Sequence, residues 1–420
     1  MLDLKFIREN PEKVRKNLEA KSAQVDLDKL LTLDQERRKL LHEVEAYKKA
    51  RNEANDRIAN QKKQGKPVES TLSDMKSLSQ KIDKIDKKVG DIEKNLESIC
   101  VYIPNIVHES VPVGKDYSSN RAIREWGEKR HFSFKAQDHE TLGRKLGWLS
   151  FERGSKITGS AFPVYQGLGA RLERALISLM LDTHTKKHGY EELAVPHLVN
   201  RASMFGTGQL PKLEEDMYRL KDDDFFLIPT AEVPVTNLFR DESLDEKELP
   251  KKLVSYTPCF RREAGAYGKD TKGLSRVHQF DKVELVKIVK PQEGLNELES
   301  LVKDATDILQ LLELPYRVVE LCSGELSFAG AKGYDLEVWA PGMERWFEVS
   351  SCTWFADFQA RRMNIRYRPQ GGTKSELVHT LNGSGVALPR TVICLMENFQ
   401  NSRGEIEFPK TLKPYLNGGP

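Results

Sequence analysis

Between positions 260 and 265 the run FRREAG sets Arg261, Arg262 and Glu263 between an aromatic residue and a glycine, with a further glycine at Gly268. Two fixed cations and one fixed carboxylate beside a loop this flexible point to a charged ligand. Three other runs carry charge where the surrounding residues read as strands: Thr230 and Glu232 in IPTAEVPV, Glu284 in DKVEL, and Glu348 in WFEVSS. A charge in a buried strand is costly unless it is paired or used. Strand alternation predicts Thr230 with Glu232, and Arg261 with Glu263, on one face each, so that strands sharing a sheet would form a polar floor. For any one pair, a half-exposed sheet face with weak salt bridges is the better explanation. Four strands beside Gly-rich loops favour the floor.

Cations gather around these carboxylates. The run from Arg261 to Glu284 reads as a hairpin loop carrying Lys269, Lys272 and Arg276 before it returns through Phe280. Near the carboxyl end, LNGSGVALPRTVICLMENFQ places small residues, then Pro389 and Arg390, at the head of an apolar helix. Guanidinium groups match phosphate oxygens in pairs. Three cationic stations flanking carboxylates would bind a polyphosphate with Mg2+ and one amine-bearing partner.

These residues need a scaffold, and 420 residues with 39% hydrophobic content allow one large or two medium domains with a sizeable core. The 66 basic and 63 acidic side chains nearly cancel, so any nucleic-acid surface must come from local clustering. Five scattered cysteines without a CxxC pair argue against a disulfide framework or a thiolate zinc site and fit a reducing cytoplasm. The amino-terminal run has no apolar core of a secretory signal, and no stretch approaches the ~20 apolar residues of a membrane span. From about residue 104 onward, β-like runs such as KLVSYTPCF, DKVELVKIV and RWFEVSSCTWF alternate with turns and two helical stretches, without a βαβ rhythm or a phosphate-loop glycine motif. That pattern predicts an α+β domain, residues 104–420, built on an antiparallel sheet.

Residues 1–103 read differently. Leu30, Leu33, Leu40, Val44, Tyr47, Ala54 and Ile58 follow alternating steps of three and four, with Arg37 and Arg51 in the remaining slots. Met75, Leu78, Ile82, Ile85, Val89, Ile92, Leu96 and Ile99 do the same. Gly65 and Pro67 lie between the two runs. This predicts an antiparallel coiled-coil hairpin over about 27–100, with arms of roughly 30 residues and ~45 Å, projecting from the body. A plain structural rod fits the heptads as well. The distal stretch nevertheless carries Lys48, Lys49, Arg51, Arg57, Lys62, Lys63 and Lys66 against three acidic residues, a charge pattern suited to a phosphate backbone.

In order and spacing, HGYEELAVPHLV with Pro196, the run from Phe260 to Glu284, and GSGVALPRTVICLMEN resemble the three signature motifs of class II aminoacyl-tRNA synthetases. With TAE at 230–232, EVSS at 348–351, NGSG at 382–385 and the amino-terminal arm, the resemblance is to the seryl family of that class, in its bacterial and organellar form. It extends from the arm to PKTLKPYLNG near the end. The resemblance implies attachment of L-serine to tRNA(Ser) through a seryl-adenylate formed from ATP, with tRNA(Sec) open as a second acceptor. It implies that Arg261, Arg276 and Arg390 are the catalytic cations. Arg261 would hold the α-phosphate, and Arg276 and Arg390 the γ-phosphate. Glu263 would accept from the adenine amino group, and Phe280 would stack on the ring. Arg262, Val277, Val349 and Ser350 complete the implied ATP site, and Glu348 and Ser351 match Mg2+ ligands. Thr230, Ala231, Glu232, Arg261, Glu284, Asn382 and Ser384 match the serine pocket, although Ala231 and Arg262 fall in variable slots. A homodimer formed around Pro196, a cytoplasmic setting and no zinc are also implied.

The chemistry suits these parts. Serine's carboxylate attacks the α-phosphorus already ionised, so positioning and charge neutralisation matter more than a general base. Two competing readings remain: a coiled-coil interaction protein with an inactive synthetase-like body, and a ligase that serylates a carrier protein. Retention of the phosphate arginines and of Glu263 weighs against the first, and the long arm against the second.

Overall fold

The computed structural model describes residues 1–264 and 272–416. It consists of two compact units, Met1–Pro104 and Asn105–Pro420. Lys269 of the expected phosphate loop lies outside the described residues.

In the first unit, helix α1 (Leu4–Glu9) is capped by the Asp3 side chain, and α2 (Pro11–Ala20) opens with a proline where no N–H partner is needed. Two long helices follow, α3 (Leu27–Lys63) and α4 (Glu69–Cys100). Leu30, Val44, Ala54 and Ile58 of α3 and Ile82, Val89, Ile92 and Leu96 of α4 are buried along the expected seam. The cross-pairs run antiparallel: Arg37 with Glu93 at 2.8 Å, Lys48 with Asp86 at 3.4 Å, and Gln61 with Thr71 at 3.1 Å. Gly65 adopts φ +64°, a left-handed turn conformation that glycine takes without strain. The helices hold 37 and 32 residues, about 55 and 50 Å. They are longer than the heptads alone suggest, because α3 starts at the Asp26 cap and runs on into the polar tip.

The second unit is built on eight strands: β1 (Arg121–Trp126), β2 (Glu191–Glu192), β3 (Lys251–Phe260), β4 (Gln279–Val289), β5 (Tyr316–Glu320), β6 (Lys332–Ala340), β7 (Arg345–Trp354) and β8 (His379–Ala387). Their order across the sheet is β1-β5-β6-β7-β8-β4-β3-β2. In this sheet β2 pairs in parallel with β3, and the other neighbours are antiparallel, as the strand pattern predicts. Helices α5 (Leu168–Lys186), α6 (Glu232–Asn237), α7 (Gly294–Leu311), α8 (Phe358–Met363) and α9 (Leu388–Asn398) complete the frame. Leu172, Leu176 and Met180 of α5, Leu298, Leu301, Ala305 and Ile308 of α7, and Val392, Ile393 and Met396 of α9 share one core with Val283, Leu285 and Val289 of β4. Helical steps of three and four on one side and strand alternation on the other bring these residues together. The same alternation leaves Phe280, Lys282 and Glu284 on the opposite face of β4.

Two expectations need correction. Thr230 and Glu232 do not lie on a strand: the strand Phe225–Leu227 ends before them, and Glu232 opens α6. Thr230 Oγ1 accepts the Glu232 N–H at 3.2 Å and Ala231 O accepts the Val235 N–H at 3.0 Å, so local hydrogen bonds turn the chain out of extended form. Arg261 and Glu263 likewise lie beyond the end of β3. Arg261 N still bonds His278 O at 2.8 Å, but the next amide, Arg262 N, goes to Asp216 O at 2.9 Å, and the Asp216 side chain takes Ala264 N. The chain therefore peels off its partner strand, and Glu263 sits at φ +51°.

All five cysteines are buried free thiols. Among the described residues no helix is long and apolar enough to cross a membrane.

Candidate active site

The polar face of the sheet floors a cleft of about 610 Å³. One end is acidic. Glu232, at the start of α6, and Glu284, on β4, are both buried and are bridged by Asn382 of β8, whose Nδ2 lies 3.2 Å from one carboxylate and 2.9 Å from the other. Lys282 Nζ pairs with Glu284 at 2.6 Å and donates to Thr230 Oγ1 at 3.0 Å. Gln359 of α8 donates to Glu232 at 2.6 Å and is itself held by Thr380 at 2.7 Å. Burial, and after it the charge of Glu284, pushes the Glu232 carboxyl up to about 7. This end can hold an ammonium group against Glu232, with Glu284 adding negative charge from behind Asn382 and Lys282.

The other end is cationic. Arg261 Nε donates to Pro229 O at 3.3 Å, and its guanidinium stands 5.2 Å from the Phe280 ring centre. Arg390, just inside α9 behind Pro389, bonds Ser275 O at 3.3 Å and reaches Glu348 through its carbonyl at 2.9 Å and its carboxylate at 3.1 Å. Arg276 forms an ion pair with Glu263. Val277, Val349, Ser350 and Ser351 line the same cleft.

Three of the expected site residues do not line it. Ala231 turns into an apolar cluster with Val235 and Leu253. Arg262 is exposed, its backbone drawn to Asp216. Glu284 lies beneath the surface and acts through Asn382 and Lys282.

Glu348 and Ser351, close together on β7, offer a carboxylate and a hydroxyl, and hard oxygen donors of this kind suit Mg2+, which shares its shell with phosphates and waters. Opposite Ser351 in register stands Asp335 of β6, hydrogen-bonded to Ser351 and with its Oδ1 unpartnered among the described residues. Burial first, then the charge of Glu348, holds this carboxyl well above its ordinary range. An orphaned acidic oxygen beside these two donors fits a cation there.

Residues 215–399 match the family described as "tRNA synthetase class II core domain (G, H, P, S and T)", and residues 1–107 match the "Seryl-tRNA synthetase N-terminal domain". A serine–tRNA ligase of Thermodesulfovibrio yellowstonii is 51% identical over 99% of both chains. One of Carboxydothermus hydrogenoformans is 54% identical over 99% of this chain and 98% of its own. The chain belongs to the seryl-tRNA synthetase family. A crystal structure of the Pyrococcus horikoshii seryl-tRNA synthetase complexed with ATP superposes with a TM-score of 0.94 at 36% identity, covering 100% of this chain and 99% of that one.

In this seryl-tRNA synthetase family member, Lys282, Gln359 and Asp335 are bonded directly to candidate site residues, and the sequence alone does not single them out. Lys282 was within reach, because it stands two positions before Glu284 in DKVEL and so shares its face. Nothing local in ADFQARR marks Gln359, which reaches Glu232 only because α8 packs beside β8, where Thr380 holds it.

Proposed function

We propose that the acidic end of the cleft takes L-serine and the cationic end takes ATP, for the family's reaction: serine and ATP give seryl-adenylate and diphosphate, and the seryl group then passes to tRNA(Ser), releasing AMP. One observation carries the assignment: Glu232, tied to the buried Glu284 through Asn382, and three arginines converge from separate elements on one cleft. Glu232, Glu284, Thr230, Asn382 and Ser384 would receive serine's ammonium and hydroxyl. Arg261 would hold the α-phosphate, and Phe280 and Glu263 the adenine. Arg276 and Arg390 would take the γ-phosphate, so ATP replaces the carboxylate partners that these two arginines now have. Glu348 and Ser351 would hold Mg2+, which supplies charge neutralisation on the phosphates. The chain's own groups orient serine's carboxylate in line with the α-phosphorus, and no proton-transfer residue is needed.

The basic residues of α3 and of the turn after it, Lys48, Lys49, Arg51, Arg57, Lys62, Lys63 and Lys66, would grip tRNA phosphates; all are exposed except the half-buried Arg51. We also place the protein in the cytoplasm as a homodimer joined around Pro196, which sedimentation at micromolar concentration tests: a fully active monomer contradicts it.

The deciding experiment is serine-dependent exchange of pyrophosphate into ATP, followed by charging of bulk tRNA with labelled serine. Absence of exchange, or faster exchange with alanine or threonine, overturns the assignment.

A further inference from the structure

The Gly385–Val386 peptide lies on β8 between Ser384 and Arg390, where the strand register breaks: pairing with β4 runs to Ser384 and resumes at Ala387. Its polar groups need partners other than the ladder, and α5 supplies them. His184 Nε2 stands 3.0 Å from Gly385 O, and Val386 N–H donates to Met180 Sδ at 3.3 Å. Met180 and His184 are one helical turn apart and fully buried. A Cβ on residue 385 would come within 2.6 Å of His184 Nε2, so the grip requires glycine there.

The hydrogen bonds also fix a proton count. A carbonyl only accepts, so His184 Nε2 carries a proton. His184 Nδ1 is 3.0 Å from His188 Nδ1, and His188 Nε2 is 3.1 Å from Asp307 Oδ2. Burial works to raise the Asp307 carboxyl, but hydrogen bonds from Lys187 and His188 hold it below its ordinary value. It is therefore a carboxylate, and His188 Nε2 must donate to it. One more proton is needed between the two Nδ1 atoms, where facing lone pairs would repel. Three protons on four ring nitrogens make the pair a monocation. Burial pushes His184 down to about 4, which places the charge on His188. Around the pair, Asp304 Oδ1 lies 3.9 Å from His188, and its Oδ2 accepts from Tyr190 at 2.7 Å and lies 3.6 Å from Lys287. Lys287 is in turn paired with Glu297 at 2.8 Å, and Lys187 with Asp307 at 2.7 Å.

We propose that His184 and His188 are positioning residues for adenylate formation: the proton-sharing pair, anchored on Asp307, holds the Gly385–Val386 peptide and thereby sets Ser384 and Arg390 against the two ends of the cleft. The inference rests on the roles proposed above for Ser384 and Arg390. Ser384 O is also clamped by Ser350 Oγ at 2.5 Å, so a shift of the peptide reaches both stations. Without the shared proton the two Nδ1 lone pairs would face each other across 3.0 Å and the grip would loosen.

The test uses the full chain, with steady-state pyrophosphate exchange, thermal melting, and ¹⁵N-histidine NMR. The proposal expects His184 as the Nε2–H tautomer beside a doubly protonated His188. It expects His184→Leu to lower kcat by roughly 10²-fold, the scale of a small misplacement, with the KM values for serine and ATP changing much less. It expects His184→Gln, which keeps a donor toward the Gly385 carbonyl, to recover part of that loss. A proton on His184 Nδ1 alone, or a wild-type kcat in His184→Leu, overturns it. If His184→Leu does not fold, the tautomer and the kcat of His184→Gln still decide, and a His184→Gln as slow as a variant without any donor counts against the proposal. Wild-type protein without serine-dependent exchange would sink the proposed function instead, and the NMR reading of the pair would stand apart from that failure.

Discussion

Lys282 and Glu284, two residues apart on β4, form an enclosed ion pair: 2.6 Å separates Nζ from Oε2, and the side chains are 6% and 0% exposed. Together with Glu232 the pocket holds two carboxylates and one ammonium, a balance that a second ammonium, from an amino acid, would complete. Removing one partner of such a pair leaves a buried charge uncompensated and costs about 3–5 kcal/mol. Lys282→Met should lower the denaturation midpoint accordingly, and saturating serine should restore more stability to the variant than to wild type. An unchanged midpoint would show that the pair is worth little.

Serine binding should depend on pH through Glu232. Its carboxyl is raised to about 7, chiefly by burial, and an ammonium prefers the ionised form. Serine affinity should therefore rise with pH and level off above about 7, being roughly tenfold weaker one unit below the pKa. The stability of the serine-free protein should run the other way. Because the folded pKa lies above the unfolded one, the fold binds more protons between about 4.5 and 7 and loses stability as pH rises through that window. Glu173, pushed up to about 8 by burial and then by Asp281, adds to the decline. Melting curves of wild type and Glu232→Gln compared across pH isolate the Glu232 part, and parallel profiles would refute it.

Arg261→Ala should slow adenylate formation by ~10²-fold or more, the usual effect of deleting one preorganised charge at a reacting group. The guanidinium meets a carbonyl and an aromatic face, neither of which depends on its charge to stay in place, so folding should survive. A near-normal rate in the purified variant would show that another group meets the α-phosphate.

Replacing residues 30–99 by a short Gly/Ser turn should separate two activities. The α3/α4 seam packs on itself, so serine-dependent exchange should persist while tRNA charging falls by orders of magnitude. Neutralising Lys62, Lys63 and Lys66 alone should flatten the salt dependence of tRNA binding by about 0.9 for each phosphate that is no longer neutralised. Normal charging by the armless protein would make the hairpin a rod.

Periodic features were legible in the sequence. The heptad positions of α3 and α4, the strands β3, β4 and β7, and the Pro389 helix start all follow from local sequence signals, the first two because burial on one face imposes a period. The site was legible as residue types but less well as geometry. Alternation puts Thr230 and Glu232 on a strand because it cannot foresee a hydroxyl that turns the backbone, and the divergence after Phe260 depends on Asp216, more than 40 residues earlier in the chain. The Arg276–Glu263 pair and the reach of Gln359 across α8 are tertiary facts with no local signature.

The position of β8 in the sheet bears on how the protein is made. β8 spans residues 379–387 and joins the half-sheet β1-β5-β6-β7 to the half-sheet β4-β3-β2. During synthesis both halves emerge before the strand that joins them, each with an unpaired edge where β8 will lie. The nascent catalytic unit therefore waits for its last stretch of chain, exposed to wrong pairing and in need of shielding. Asn382 and Ser384 ride on that same strand, so a chain released before β8 would lack two residues of the proposed serine pocket and keep two unpaired strand edges open to wrong pairing.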